Sequence, residues 1–293
     1  MPRGKTAKSL ALIDACYDIL QEIHPATVRA VCYQLFIHKL LPSMAKTHTN
    51  RVSTQLVYAR EEEIIPWKWI VDETREAEHQ PTWANPESFI PVVMGSYRRD
   101  RWELQPRRVE VWSEKGTVRG SLAPVLAQFG VTFRVMHGHG SATALYDVAE
   151  ETQTDLAPRI LLYVGDHDPS GLHMSEIDIS GRLARYDGEV EVIRVALANE
   201  DVDPRRSTLP SFPAGDKVTD SRYKWFVTNY GDTCWELDAL SPTLLRERVA
   251  AAIEQYIDWE AWLRCDEVEQ AERRSLQQIL STWPRAISGQ ASI

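Results

Sequence analysis

Apolar positions recur at helical spacing from the start of the chain. Leu10, Ile13, Cys16/Tyr17 and Leu20 predict a first helix over residues 9–22. His24-Pro25 breaks it, and Thr27 caps or opens a second helix. There Val28, Val31, Cys32, Leu35 and Phe36 form an i, i+3, i+4, i+7, i+8 stripe that faces a core. Arg29 and Tyr33 stand four apart on the flank of that stripe. After Leu41-Pro42, a polar run from Lys46 to Gln55 leads into Leu56, Val57 and Ile64, the exposed face and N-terminus of a third helix. Ile65-Pro66-Trp67-Lys68-Trp69-Ile70-Val71 then supplies a short β-ribbon, or wing. Three short helices and a wing fit a helix-turn-helix module, and the helices alone fit any three-helix bundle with a solvated third face.

Residues 76–106 hold four prolines and the Arg98-Arg99-Asp100-Arg101 cluster, and read as a connector with some helix around Ser88–Met94. From Arg107 the period changes. Strands are predicted at Val109–Trp112, Thr132–Met136, Ile160–Val164 and Val190–Val195, with helices at Val118–Phe129, Ala142–Glu151 and Gly171–Tyr186. Four β-α steps with short links predict a parallel sheet with right-handed crossovers. Residues 199–240 are rich in loops; Leu245, Val249, Ile253 and Ile257, spaced by four, open a helical pair that runs to about Leu280. The expected fold class is α/β: an N-terminal winged-helix domain over 1–80, a connector over 81–106, a parallel-sheet domain over 107–240 and a helical C-terminal extension over 241–293.

Composition narrows the setting. No apolar run approaches the roughly 20 residues of a membrane span. Met-Pro-Arg-Gly-Lys has no apolar stretch behind it, so no signal peptide is expected and a cytoplasmic, nucleoid-associated protein is. Cys16, Cys32, Cys234 and Cys265 are far apart and read as reduced core thiols. The net charge of −9 argues against a nucleic-acid partner, but residues 1–60 carry eight Lys/Arg against three Asp/Glu. A basic N-terminal module on an acidic body suits duplex DNA, with Arg29, Lys46, Arg51 and Gln55 as candidate contacts.

The candidate chemistry sits at strand ends. Glu114 follows the first strand; Asp166 and Asp168 follow the third. In an open parallel sheet ligands bind beyond the carboxyl ends of the strands. Three carboxylates there, with no Cys or His set nearby, suit a hard cation, Mg²⁺ or Mn²⁺. Asp166-x-Asp168-x-Ser170-Gly171 also opens like a calcium-binding EF-hand loop, but its twelfth position is Ile177 and an apolar strand precedes it. His137-Gly-His139-Gly reads as a tight strand-to-helix turn, or as a metal pair. Alternation points His167 away from its neighbouring aspartates, so it is not expected to be a ligand. Trp235-Glu236 offers an additional carboxylate, and Arg222-Tyr223-Lys224-Trp225 is a DNA contact or a packed cluster.

Glu114-Lys115-Gly116 and Asp166-His167-Asp168-Pro169-Ser170-Gly171 resemble the two signatures of the Toprim domain, shared by topoisomerases, primases and some nucleases, over residues 107–197. With a helix-turn-helix module upstream, the chain is similar to the A subunit of topoisomerase VI, and closest in size to its compact mini-A relatives. That family carries Thr-x-Arg-x-[Ile/Leu/Val]-Tyr-Tyr on its second helix; here the run is Thr27-Val28-Arg29-Ala30-Val31-Cys32-Tyr33, with Cys32 in place of the first tyrosine. The resemblance spans residues 10–200 and implies that Tyr33 attacks DNA, that Arg29 and Lys115 steady the phosphate, and that Glu114, Asp166 and Asp168 hold Mg²⁺. It further implies a homodimer in which tyrosine and metal come from different protomers. Tyrosine, with a pKa near 10, needs such help to act as a nucleophile. The alternatives are a hydrolytic Toprim nuclease in which Tyr33 is structural, and a non-catalytic DNA-binding subunit. The chain has no GxxxxGK[ST], so an ATP-using B-type subunit would be a separate chain.

Overall fold

The computed structural model describes residues 5–71, 81–136, 142–155, 157–202 and 207–281. Three helices open the chain: α1 (Ala7–Ile23), α2 (Val28–Ile37) and α3 (Lys46–Glu61). Thr27 caps α2 as its hydroxyl accepts from the Ala30 amide at 3.1 Å, satisfying one of the free amides of the first turn. Ile13, Cys16, Leu20, Val31, Leu35, Val52, Leu56 and Ile65 interlock beneath the three helices as one core.

The predicted wing does not form over Ile65–Val71. Those residues make a single 3-10 turn (Trp67–Trp69), and among the described residues Ile70 pairs only with Ala26, in one parallel bridge. Two causes are visible. Pro66 offers no amide to a ladder. The Trp69 ring stacks on His24 at 4.6 Å and leans on Tyr17 at 5.4 Å, which draws the segment onto α1.

Helix α4 (Pro86–Ser96) starts at an Asn85–Ser88 capping box. It leads into a basic cluster answered by acids of the last helix: Arg99 meets Glu272 at 2.8 Å and Arg101 meets Asp266 at 2.7 Å. The cluster is spent on tying down the connector.

The centre is a four-stranded, wholly parallel sheet in the order β2-β1-β3-β4, from β1 (Arg108–Ser113), β2 (Thr132–Val135), β3 (Arg159–Val164) and β4 (Val190–Ala196). Helices α5 (Val118–Phe129) and α6 (Ala142–Thr154) carry the first two crossovers. The third runs through α7 (Pro169–His173), a π-turn (Met174–Asp178) and α8 (Ile179–Leu183). Every residue of β3 is buried, as a strand covered on both faces must be. Ile160, Leu162 and Val164 join one core, and Leu161 and Tyr163 join the other.

A small antiparallel pair follows, β5 (Ser211–Pro213) and β6 (Thr233–Trp235), with α9 (Tyr223–Tyr230) between them. A backbone bridge between Trp235 and His167 fixes this pair to the end of β3. The chain then forms a 3-10 turn (Leu237–Ala239), α10 (Pro242–Glu254) and α11 (Trp259–Ser281). Leu245, Val249, Ile253 and Ile257 pack into the sheet's first core, as their spacing predicts. Arg246 staples the parts together, donating to the carbonyls of Ile23 (3.2 Å), Pro25 (3.3 Å) and Ser121 (3.3 Å). Among the described residues no helix is long and apolar enough to cross a membrane, and all four cysteines are free and buried.

Candidate active site

Register brings the acidic residues together. Ser113 of β1 lies beside Val164 of β3, so the chain segments that follow, Glu114 on one and Gly165-Asp166 on the other, emerge side by side. They line a cavity of about 420 Å³ with Lys115, Asp168, Ser170 and Lys217. The Ser170 hydroxyl donates to Glu114 at 3.1 Å. Asp168 caps α7, its Oδ1 accepting the Gly171 amide at 2.8 Å, while its Oδ2 faces Lys217 Nζ at 3.1 Å. Asp166 Oδ1 accepts the Leu237 amide at 2.8 Å and meets Lys115 Nζ at 2.9 Å.

One half-buried arginine shapes the turn that holds both aspartates. Arg194, from β4, donates to the carbonyls of Gly165 (3.1 Å), Asp166 (3.2 Å), Leu197 (3.2 Å) and Gly171 (2.5 Å), and to the Ser175 hydroxyl (3.1 Å). Its plane also covers the Tyr163 ring, 5.1 Å from the centroid. Gly171 is required by space: a Cβ there would stand 2.3 Å from the Asp166 carbonyl oxygen.

Charge is crowded here. Burial first, then repulsion from Asp168, pushes the Glu114 carboxyl above its ordinary range, against the Ser170 hydrogen bond. Burial likewise pushes Asp166 up, and Lys115 opposes it. Burial disfavours the charge on Lys115, but Asp166 and Asp238 outweigh this and hold it protonated above the usual lysine range.

A second group adjoins the cavity through Lys115. The turn Leu237–Ala239 packs against α2. Arg29 Nε donates to Asp238 Oδ2 at 3.0 Å, and its terminal nitrogen bonds Glu236. Lys115 Nζ lies 3.4 Å from Asp238 and 4.0 Å from Glu236. Tyr33, 6% exposed, lies near enough to Glu236 for the carboxylate to act on its phenol, and has the Arg29 guanidinium 5.5 Å from its ring centroid. Burial and then Glu236 push the Tyr33 phenol upward, against Arg29. Glu236 itself is held below its ordinary range, since Arg29 and Lys115 outweigh its burial.

Of the residues singled out in the sequence, Tyr33, Arg29, Glu114, Lys115, Asp166, Asp168 and Glu236 belong to one connected group. Within the chain Tyr33 neighbours Glu236 and Arg29 and does not line the cavity of Glu114, Asp166 and Asp168, whereas the resemblance implies that tyrosine and metal come together from different protomers. Lys46 and Arg51 are exposed on α3, well placed for a partner. Gln55 is not: it is 8% exposed and accepts from Lys5 Nζ at 3.0 Å, because the α3 stripe turns its side chain inward beside Leu56. His167 points away from the cavity into a box of Phe226, Tyr230 and Trp235, with ring centroids 5.6–5.9 Å away. Burial pushes it down to about 4, so it is neutral there. Arg222 is spent on Asp220, and Trp225 packs on His173 and Tyr230, which makes the aromatic run a packed cluster. His137 and His139 lie outside the described residues.

Sequence reading missed Arg194, Lys217 and Asp238. Asp238 sits in a 3-10 turn (Leu237–Ala239), where no strand alternation marks it. Arg194 looked like any polar position of an edge strand. Lys217 reaches the site from the end of a 3-10 turn (Ala214–Lys217).

Among the described residues no group of three or more His, Cys, Asp or Glu stands ready to hold a metal. The ammonium groups of Lys115 and Lys217 stand on Asp166 and Asp168 instead. By donor chemistry the residues still fit a hard cation: the three carboxylates line one cavity, and their mutual repulsion is what such an ion would relieve. No family model, curated protein or solved structure matches the chain.

Proposed function

We propose that the chain binds duplex DNA and cleaves it by metal-dependent transesterification through Tyr33, as an A subunit-like relative of topoisomerase VI with a Toprim-type sheet domain. The observation that carries this reading is the run of contacts from Arg29, which lies over the Tyr33 ring, through Asp238 and Lys115 to Asp166. A nucleophile, two cations and three carboxylates thus share one small region.

In this reading the exposed Lys46 and Arg51 hold the DNA backbone and Arg29 grips the phosphate at the cut. Glu114, Asp166 and Asp168 would hold Mg²⁺ or Mn²⁺, which neutralises charge building on the phosphate. The Tyr33 oxygen bonds to phosphorus as the bond from phosphorus to the 3′ oxygen breaks. The phenol proton passes to water, the 3′ oxygen leaves as a hydroxyl by taking up a proton, and the 5′ end stays on the tyrosine. Cutting both strands requires two copies, so a homodimer is part of the proposal; strand passage would add a separate ATP-using B-type subunit.

The burial of Tyr33 favours the rival reading, a Toprim-type nuclease that hydrolyses DNA with water. One experiment separates them. Supercoiled plasmid is incubated with Mg²⁺ or Mn²⁺, quenched in detergent and resolved with and without protease. Protein-linked 5′ ends that vanish in both Tyr33→Phe and Asp166→Ala support transesterification. Free ends that persist in Tyr33→Phe and vanish in Asp166→Ala establish hydrolysis. Absence of cutting in every sample removes both.

A further inference from the structure

The two cations that a DNA phosphate would meet beside Tyr33 already have anionic partners. Arg29 is bound by Asp238 and Glu236 together, and Lys115 lies against both. The acids belong to one anchored segment: Leu237 between them is 2% exposed, and its amide donates to Asp166. Carboxylate oxygens set around a guanidinium and an ammonium reproduce what a phosphodiester offers to the same groups. We propose that Glu236-Leu237-Asp238 is a built-in phosphate mimic that closes this site until a polyanion displaces it.

The inference rests on the DNA-cleavage reading for its purpose, though the mimicry can be tested apart from DNA. While Glu236 and Asp238 engage Arg29 and Lys115 beside Tyr33, neither cation is free to grip a phosphate. Displacement releases both at once. The outgoing carboxylates return to water while incoming oxygens take over their partners, so the exchange is nearly balanced. A ligand with several phosphates, gripped also by α3, therefore displaces the segment better than a single anion does.

The test uses the full chain carrying Glu236→Gln and Asp238→Asn. A control with the same charge change at exposed positions carries Glu254→Gln and Glu267→Gln. Binding of inorganic pyrophosphate is measured by calorimetry, and binding of a labelled duplex by anisotropy in EDTA. Circular dichroism checks folding, and Asp238→Asn alone serves if the double variant is unstable. The mimic predicts at least tenfold tighter pyrophosphate binding than in wild type and control, a gain that Arg29→Ala then abolishes. Equal affinity in variant and control, or weaker affinity in the variant, overturns it, and duplex cutting by wild type would leave the DNA reading standing. A gain for pyrophosphate with no duplex binding by any chain keeps the mimic and removes the DNA reading.

Discussion

Arg194 Nη2 closes on the Gly171 carbonyl at 2.5 Å, so the edge strand of the sheet grips the first turn of α7 from behind. The same guanidinium holds the carbonyls of Gly165 and Asp166, which makes it the inner support of the acidic turn. Replacing it with methionine leaves several buried acceptors without donors, each costing about 1–3 kcal/mol, partly offset by removal of a half-buried charge. Arg194→Met should lose roughly 2–4 kcal/mol by urea unfolding. Arg194→Lys should not restore the loss, since an ammonium cannot span the same fork. A lysine variant as stable as wild type would refute this role.

Gly171 tests the same turn from the other side. An added Cβ would meet the Asp166 backbone, which cannot yield as a flexible side chain does. Gly171→Ala should therefore displace Asp166 and abolish the proposed metal-dependent cutting. Gly181→Ala, on α8 with open space around it, should leave cutting intact and stabilise by about 0.5–1 kcal/mol. Equal behaviour of the two variants would show that the tight approach does not matter.

How much of this was legible in the sequence follows from the range of the interactions. The helices of the N-terminal unit, the alternation of strands and helices in the sheet and the C-terminal pair were readable because local period sets them. Glu114, Asp166 and Asp168 were readable because strand ends are predictable places. The wing was misread: an apolar run with Trp67 and Trp69 looks like a strand, and only the fold reveals that Trp69 has His24 to stack upon. Gln55 was misread because a polar residue on a polar helix looks solvated until Lys5 is seen to bond it. Arg194, Lys217 and Asp238 act through contacts distant along the chain, which no periodicity encodes.

At the opposite end of the sheet, Arg159 is 4% exposed and meets Glu110 at 3.1 Å, Glu151 at 2.6 Å and Asp155 at 2.5 Å. Breaking a buried pair by removing one partner costs about 3–5 kcal/mol. Glu110 keeps Arg134 at 2.8 Å, which places Arg159→Met near the lower end, roughly 3 kcal/mol. Urea midpoints at constant slope measure it; a loss under about 1 kcal/mol would mean that the network is dispensable.

Cys16 predicts a pH dependence. Burial, then repulsion from Cys32, pushes its thiol from 9.0 up to about 12. Below pH 9.0 folded and unfolded chains both keep the proton, so the shift has no effect. Above it the unfolded thiol ionises and the folded one does not, so stability falls with rising pH, by about 1.4 kcal/mol per unit until pH 12. Cys16→Ala should be less stable at neutral pH yet lose stability more slowly above pH 9.0. Parallel pH profiles for the two chains would contradict this.

Arg29 and Glu236 are 207 positions apart in the chain yet bonded in the fold, and Arg246 of α10 staples the end of α1. The N-terminal helices are therefore not a cassette. A recombinant that exchanged residues 1–71 alone would put at risk the Arg29 partner of Glu236 and Asp238 and the Ile23 and Pro25 carbonyls that Arg246 holds. The smallest heritable module is discontinuous, pairing the first helices with the stretch from Glu236 to Arg246. Change in one part should be followed by change in the other.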